Sequence, residues 1–235
     1  MKIAREGFPF ALGALLLAGG LWALVWLGVG ETTESAAEGS VGVAGAVLRA
    51  AAGLFTAASV FVLWFFRNPE PAVPGDAALV VAPGHGKVIR VEDVDEPTFL
   101  QGPARKISIF LSVFDIHVQR APVSGSVEHK VYRPGAYAVA WADKASDDNE
   151  QSSLGIAAEH GRILVRQIAG LVARRIITDP DVGDRVERGR RFGLIRFGSR
   201  VDVFMPPHWE VLCAVGDRVR VGSSVLARQR PEEAS

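Results

Sequence analysis

Phe8 to Gly30 runs without a single charged side chain, and that stretch limits what the chain can become. About 20 apolar residues in a helix cross a bilayer, and this run is long enough. A second apolar stretch, Val41 to Phe66, follows at once and is interrupted only by Arg49 near its start. Arg49 at mid-bilayer would cost about 2.5–3.5 kcal/mol. Its uncharged part, Ala50 to Phe66, meets the lower length limit for a span and lets Arg49 snorkel to the interface. A signal peptide is the alternative for the first run, with Lys2 and Arg5 as its basic end. The length of that run and the second run behind it argue against this alternative. The loop from Glu31 to Ser40 carries Glu31, Glu34 and Glu38 and no base, whereas Lys2, Arg5 and Arg67 flank the outer ends. The positive-inside rule then puts both ends in the cytoplasm. Trp22, Trp26 and Trp64 fall towards the segment ends, where an aromatic belt belongs. Residues 1–66 are thus expected to form a helical hairpin in the cell membrane, spanning it or lying in one leaflet. Residues 67–235 would face the cytoplasm.

Beyond Phe66 the texture changes. Short β-branched and apolar runs alternate with Gly and Pro: Ala78–Ala82, Lys106–Val113, Ile163–Ile168, Arg174–Thr178, Arg200–Met205 and Val219–Ala227. No long 3.6-residue stripe competes with them. Two echoes recur within this part. Ala82-Pro83-Gly84-His85-Gly86-Lys87-Val88 and Ala121-Pro122-Val123-Ser124-Gly125-Ser126-Val127 share the pattern A-P-x-x-G-x-V. Val182-Gly183-Asp184-Arg185-Val186 with Gly189 matches Val215-Gly216-Asp217-Arg218-Val219 with Gly222. Glycines at such positions tolerate the left-handed backbone of tight reversals. The expected fold is mainly β (α+β), a compact barrel-sandwich-like domain of short strands behind the membrane hairpin. Biotinyl- and lipoyl-carrier modules offer a fold analogy that settles no function, and neither repeat offers a carrier lysine in an obvious place.

Composition removes several functions. Hydrophobic residues at 49% and charged residues at 22% support a folded core. Lys+Arg and Asp+Glu both number 26, which argues against a nucleic-acid partner. The one cysteine, Cys213, excludes an internal disulfide framework and a cysteine-built zinc cluster. The five histidines, His85, His117, His129, His160 and His208, show no H-x-x-x-H pair, so no metal is expected. There is no G-x-S-x-G elbow, no P-loop and no G-x-G-x-x-G opening a helix. Asp115 and His117 stand two apart, so on a strand they would share a face. They form a facing acid–imidazole pair, one half of a site completed by distant residues, or a purely structural pair. Gly198-Ser199 sits between two apolar strand-like runs, and by itself such a pair is a turn.

Several separated segments together resemble the phosphatidylserine decarboxylase family in its short, bacterial/archaeal-type form. They are Phe65 to Glu70, Val80 to Val88, Ile107 to Pro122 with Phe114-Asp115-Ile116-His117, Asn149-Glu150, Val165 to Gly170, Ala173 to Ile176, and Phe192 to Asp202 around Phe197-Gly198-Ser199-Arg200. They run in order over residues 65–207, and the hydrophobic N-terminal pair suits the family too. The resemblance implies a proenzyme that cuts itself at Gly198-Ser199, with the Ser199 hydroxyl attacking the Gly198 carbonyl. The products would be a large chain 1–198 and a small chain 199–235 that stay associated, the second capped by a pyruvoyl group derived from Ser199. That group would form a Schiff base with phosphatidylserine in the bilayer, release carbon dioxide and yield phosphatidylethanolamine, with no metal. His117 matches the family's general base, and a neutral imidazole takes a serine proton near pH 7. Arg166, Arg174 and Arg175 are candidates for the lipid phosphate, which guanidinium grips bidentately, or are solvated strand residues.

One position departs from the family pattern. Pro83-Gly84-His85-Gly86 puts His85 where the resemblance expects an aspartate that orients the histidine. An imidazole does not supply a carboxylate's charge to an imidazolium. Asp115 or another acid takes over that role, or His85 relays the proton itself, or self-cleavage is slow or lost. A working enzyme is the expectation, because an orienting group governs rate and not the existence of the nucleophile. The competing expectation is a membrane-anchored barrel-sandwich scaffold or binding module that never cleaves itself.

Overall fold

A computed structural model of the chain describes residues 2–29, 42–135, 149–170, 175–196 and 199–231. The acidic loop, Arg174 and Gly198 lie outside the described residues. The chain divides into two compact units, Met1–Pro69 and Glu70–Ser235.

The first unit is a pair of helices, α1 (Phe8–Trp26) and α2 (Val43–Phe65). Both are long and apolar enough to cross a membrane. They meet through small side chains at heptad spacing, Ala11 and Ala18 on α1 and Gly45, Ala52 and Ser59 on α2, all buried. Small residues let apolar helices approach closely where burial from water gives no drive. Trp22 Nε1 donates to Thr56 Oγ1 at 3.1 Å across the pair. Two main-chain bonds close the neck, Asn68 N to Lys2 O and Ala4 N to Phe66 O, both 2.8 Å.

Among the described residues the second unit holds fourteen strands. They are β1 (Leu79–Val81), β2 (Gly86–Glu96), β3 (Gly102–Leu111), β4 (Val118–Arg120), β5 (Gly125–Arg133), β6 (Gln151–Ala158) and β7 (Gly161–Ala169). Then follow β8 (Ile176–Thr178), β9 (Arg185–Val186), β10 (Arg191–Ile195), β11 (Ser199–Met205), β12 (Glu210–Val211), β13 (Arg218–Val219) and β14 (Val225–Arg228). Eight form one curled antiparallel sheet in the order β13-β2-β3-β11-β7-β6-β5-β9, and two three-stranded sheets, β1-β14-β12 and β4-β10-β8, complete it. The mainly β expectation holds. The expected run Val219–Ala227 is two strands, because the chain reverses at Gly222 (φ +70°) between them.

The two sequence echoes are the two halves of one pseudo-symmetric arrangement. Ala82 accepts from Gly222 N, and Ala121 accepts from Gly189 N, both at 2.8 Å. Val88 donates to Asp217 O and accepts from Gly216 N, and Val127 donates to Asp184 O and accepts from Gly183 N, all within 2.8–2.9 Å. Gly183 (φ +97°) and Gly216 (φ +104°) occupy the left-handed conformation that the turn needs. Each G-D-x-V turn thus clamps the strand that its A-P-x-x-G-x-V partner opens.

The inner face of the large sheet holds the core. Odd-numbered residues of β11 and β7, among them Val201, Val203, Ile163 and Val165, belong to it together with Ile107, Ile109 and Leu111 of β3. Even-numbered residues such as Phe204 and Leu164 face the other side and join a smaller cluster with Phe99 and Ala104.

A Cβ at Gly86 would lie 2.0 Å from Phe110 O, and one at Gly125 would lie 2.1 Å from Ala157 O. Backbone atoms cannot give way as a side chain does, so Gly86→Ala and Gly125→Ala should each destabilise by about 2–3 kcal/mol. Gly75→Ala, where a Cβ meets nothing within 4 Å, should change the unfolding midpoint little. Chemical denaturation of the three variants in detergent provides the measurement, and equal midpoints would contradict the close-approach account.

Candidate active site

Ser199 is the first residue of β11 and lies on the core face. Its partners across the sheet are Leu111 of β3 and Ala169 of β7. The side chain is fully buried, and Oγ has no hydrogen-bond partner among the described residues. Most buried polar atoms are paired, so an orphaned hydroxyl in an apolar setting calls for an explanation.

Asp115 and His117 lie on the turn between β3 and β4, not on a strand, so the shared-face expectation does not hold. The turn instead folds the pair back on itself. His117 is fully buried, and its Nδ1 lies 3.0 Å from the main-chain carbonyl of Asp115. A carbonyl only accepts, so Nδ1 carries the hydrogen and Nε2 is the basic nitrogen. The Asp115 carboxylate is engaged elsewhere. Oδ2 accepts from Ser112 N at 2.8 Å and from Ser112 Oγ at 2.7 Å, and Oδ1 lies 3.4 Å from Arg218 and 3.8 Å from His85 Nε2. The last separation is too long for a hydrogen bond.

His117 is tied to the Gly-Ser segment through its backbone. Its carbonyl accepts from Ile195 N at 3.3 Å, and Ile195 ends β10, the strand leading into residues 197–199. On the other flank of β10, Arg196 N donates to Arg175 O at 3.2 Å, placing the exposed Arg175 beside the end of that strand. His85 sits in the loop before β2. A Cβ at its neighbour Gly84 would touch Leu111 at 3.3 Å and Val201 at 3.5 Å, the inner-face neighbours of Ser199. His117 and Arg175 therefore both border the end of β10, and Gly84, next to His85, borders the inner-face neighbours of Ser199, while Gly198 and Arg174 are not described.

Arg166 is elsewhere. The register pairs it with Asp202, three positions along from Ser199 and on the opposite face. Its Nε donates to Ser153 Oγ at 3.1 Å, its guanidinium stacks over Phe204 at 4.8 Å, and it faces Glu96 at 3.5 Å. Burial alone would raise the pKa of Glu96, but hydrogen bonds from Thr98 and from the Leu100 and Phe99 amides outweigh it and hold the carboxyl below its usual range. These groups line a surface cavity of about 370 Å³.

Sequence reasoning gave no role to a set of buried amides around the site. Asn149 Nδ2 donates to Ala169 O at 2.7 Å, fixing the strand residue beside Ser199. Gln167 donates to Gln119, two residues past His117, and to Ile177 O at 3.3 Å, and it accepts from Thr178 Oγ1 at 2.6 Å. A lone Gln in a strand gives no sign of burial. Only its position near His117 on one strand and near Ser199 across another reveals the network.

Comparisons with known proteins point to one family. The family model for phosphatidylserine decarboxylase matches residues 58–227. A phosphatidylserine decarboxylase proenzyme from Symbiobacterium thermophilum is 47% identical over 232 residues, covering 96% of this chain and 95% of the relative. Proteins of the same name from Salinibacter ruber and Syntrophus aciditrophicus are 45% and 42% identical, covering 91% and 95% of this chain and 87% and 96% of theirs. The chain belongs to the phosphatidylserine decarboxylase family and is an enzyme of that kind. The scaffold alternative finds no support in these comparisons.

Directly after Ser199, Arg200 and Asp202 form a two-pronged ion pair, both bonds at 2.7 Å and both side chains fully buried. Asp202→Asn removes the carboxylate charge that pairs with the buried guanidinium and should cost about 3–5 kcal/mol. The double replacement Arg200→Met with Asp202→Leu should recover most of that loss. Urea unfolding of the three proteins checks this, and a neutral Asp202→Asn would contradict it.

Proposed function

We propose that the chain converts phosphatidylserine to phosphatidylethanolamine at a pyruvoyl group made from Ser199 by self-cleavage of the Gly198–Ser199 bond. The observation that carries the reading is the orphaned, fully buried Ser199 hydroxyl, on a strand start whose approach is bonded to the backbone of an oriented histidine. Such a buried position suits a small ketone cap, which needs no donor of its own.

The residues act as follows. Ser199 Oγ attacks the Gly198 carbonyl carbon while His117 Nε2 takes the hydroxyl proton. The C–N bond breaks, the nitrogen is protonated, and an ester joins Gly198 to Ser199. Removal of the residue 199 α-hydrogen expels the Gly198 carboxylate and leaves dehydroalanine. Water then replaces the nitrogen, which leaves as ammonia, and the pyruvoyl cap remains. Chains 1–198 and 199–235 stay together because β11 is hydrogen-bonded on both sides by strands of the larger chain. When formed, the group supplies an electron-accepting carbonyl for the pair that carbon dioxide leaves behind.

The Asp115 carbonyl performs the orienting task that a triad carboxylate performs elsewhere, so His85 at the family's aspartate position does not block maturation. Arg175, with Arg174, meets the lipid phosphate, whereas Arg166 faces the other side of the sheet. A bilayer substrate also accounts for two helices able to cross a membrane. Lys2, Arg5 and Arg67 at the hairpin ends support a catalytic unit on the cytoplasmic face.

Ser199→Ala should remain one chain and be inactive; cleavage that persists would refute the role of Ser199. His117→Ala should slow cleavage by roughly 10²–10⁴-fold. Asp115→Asn keeps the main-chain carbonyl and should slow cleavage less than about tenfold. Gel analysis of processing over time separates the two histidine-orienting schemes, and a loss in Asp115→Asn equal to that in His117→Ala would favour the carboxylate.

A further inference from the structure

Glu150 precedes β6 and is 3% exposed. Its Oε1 accepts from Tyr132 OH at 3.1 Å, and its Oε2 is buried with no partner among the described residues. Ala169 N donates to Glu150 O at 2.9 Å, so extending the β6–β7 register by one residue sets Glu150 opposite Ala169. Even-numbered residues of β6, such as Leu154 and Ile156, belong to the inner-face core. Leu111, Ser199, Ala169 and Glu150 therefore form one row across four strands on one face. Glu150 and Ser199 are two strand spacings apart, roughly 10 Å, on either side of Ala169 in that row.

A buried carboxylate oxygen without a donor is costly, and a cationic donor is the group that best offsets this. Within that row, the chemistry at residue 199 requires an amine that arrives as an ammonium and must lose a proton before it is nucleophilic. We infer that Glu150 binds the ammonium of the amino-acid headgroup at residue 199 and accepts one of its protons, an inference that rests on the pyruvoyl reading of Ser199. One N–H bond breaks and one O–H bond forms, the electron pair stays on nitrogen, and no oxidant or reductant is involved. Self-cleavage involves no ammonium, so Glu150 has no part in it.

The test compares wild type, Glu150→Gln and Glu150→Asp as full chains in detergent. Glu150→Gln should cleave as completely as wild type yet lose roughly 10²–10³-fold in kcat/KM on phosphatidylserine, and Glu150→Asp should regain part of it. A readout without turnover uses mature protein whose carbonyl has been reduced by borohydride. It should bind vesicles doped with phosphatidylserine about tenfold or more tightly than vesicles doped with an analogue carrying hydroxyl in place of the amine, and Glu150→Gln should erase that preference. Full cleavage with unchanged kcat/KM, cleavage lost in parallel with activity, or no preference in wild type would each overturn the inference. Should Glu150→Gln fail to fold, the wild-type preference still decides. A wild-type chain that never cleaves would instead overturn the reading of Ser199.

Discussion

The antiparallel pairing of β11 with β3 on one side and β7 on the other is what the rest of the site depends on. That pairing buries Ser199 at a strand start, faces it into the core and leaves its hydroxyl with no partner among the described residues. Because side chains alternate along a strand, the same register sends Arg200 and Asp202 to the other face, where they neutralise one another. A slip of one residue would exchange the two sets, burying an ion pair in the apolar core and removing the serine from it. Register and chemistry are the same constraint at this position.

The histidine is held in a different way. Its imidazole is oriented by a main-chain carbonyl two residues back, and the carboxylate that the D-x-H spelling advertises is spent on Ser112 and Arg218. A main-chain acceptor fixes the tautomer without adding a buried charge. In the proposed reading the departure from the family pattern at His85 is absorbed, since orientation does not rest on the loop that carries it.

Much of the fold was legible beforehand because it is written in glycines. The A-P-x-x-G-x-V and G-D-x-V echoes mark close backbone approaches and left-handed turns, which only glycine accommodates cheaply, and they pair in space as they pair in spelling. The apolar strands β3, β7 and β11 showed themselves through β-branched runs. Strands β2 and β5 did not, because Arg90, Glu92, Asp93, His129 and Lys130 give them polar texture that a strand with one watered face tolerates, and β6 did not, because its Gln151, Ser152 and Ser153 are polar yet buried. The site was legible only in part. Ser199 and His117 followed from a motif, but the face on which Arg166 lies, the turn that carries Asp115 and the buried amides of Asn149 and Gln167 are products of register and tertiary packing. Residue spacing alone cannot express them.

The central claim is that this chain matures by cutting itself ahead of Ser199. Intact mass spectrometry of the purified protein, with and without borohydride in the presence of an amine, addresses it directly. The account predicts two chains, one ending at Gly198 and one beginning with a blocked residue 199 that gains the mass of the amine on reduction. A single unmodified chain of 25.1 kDa would contradict it.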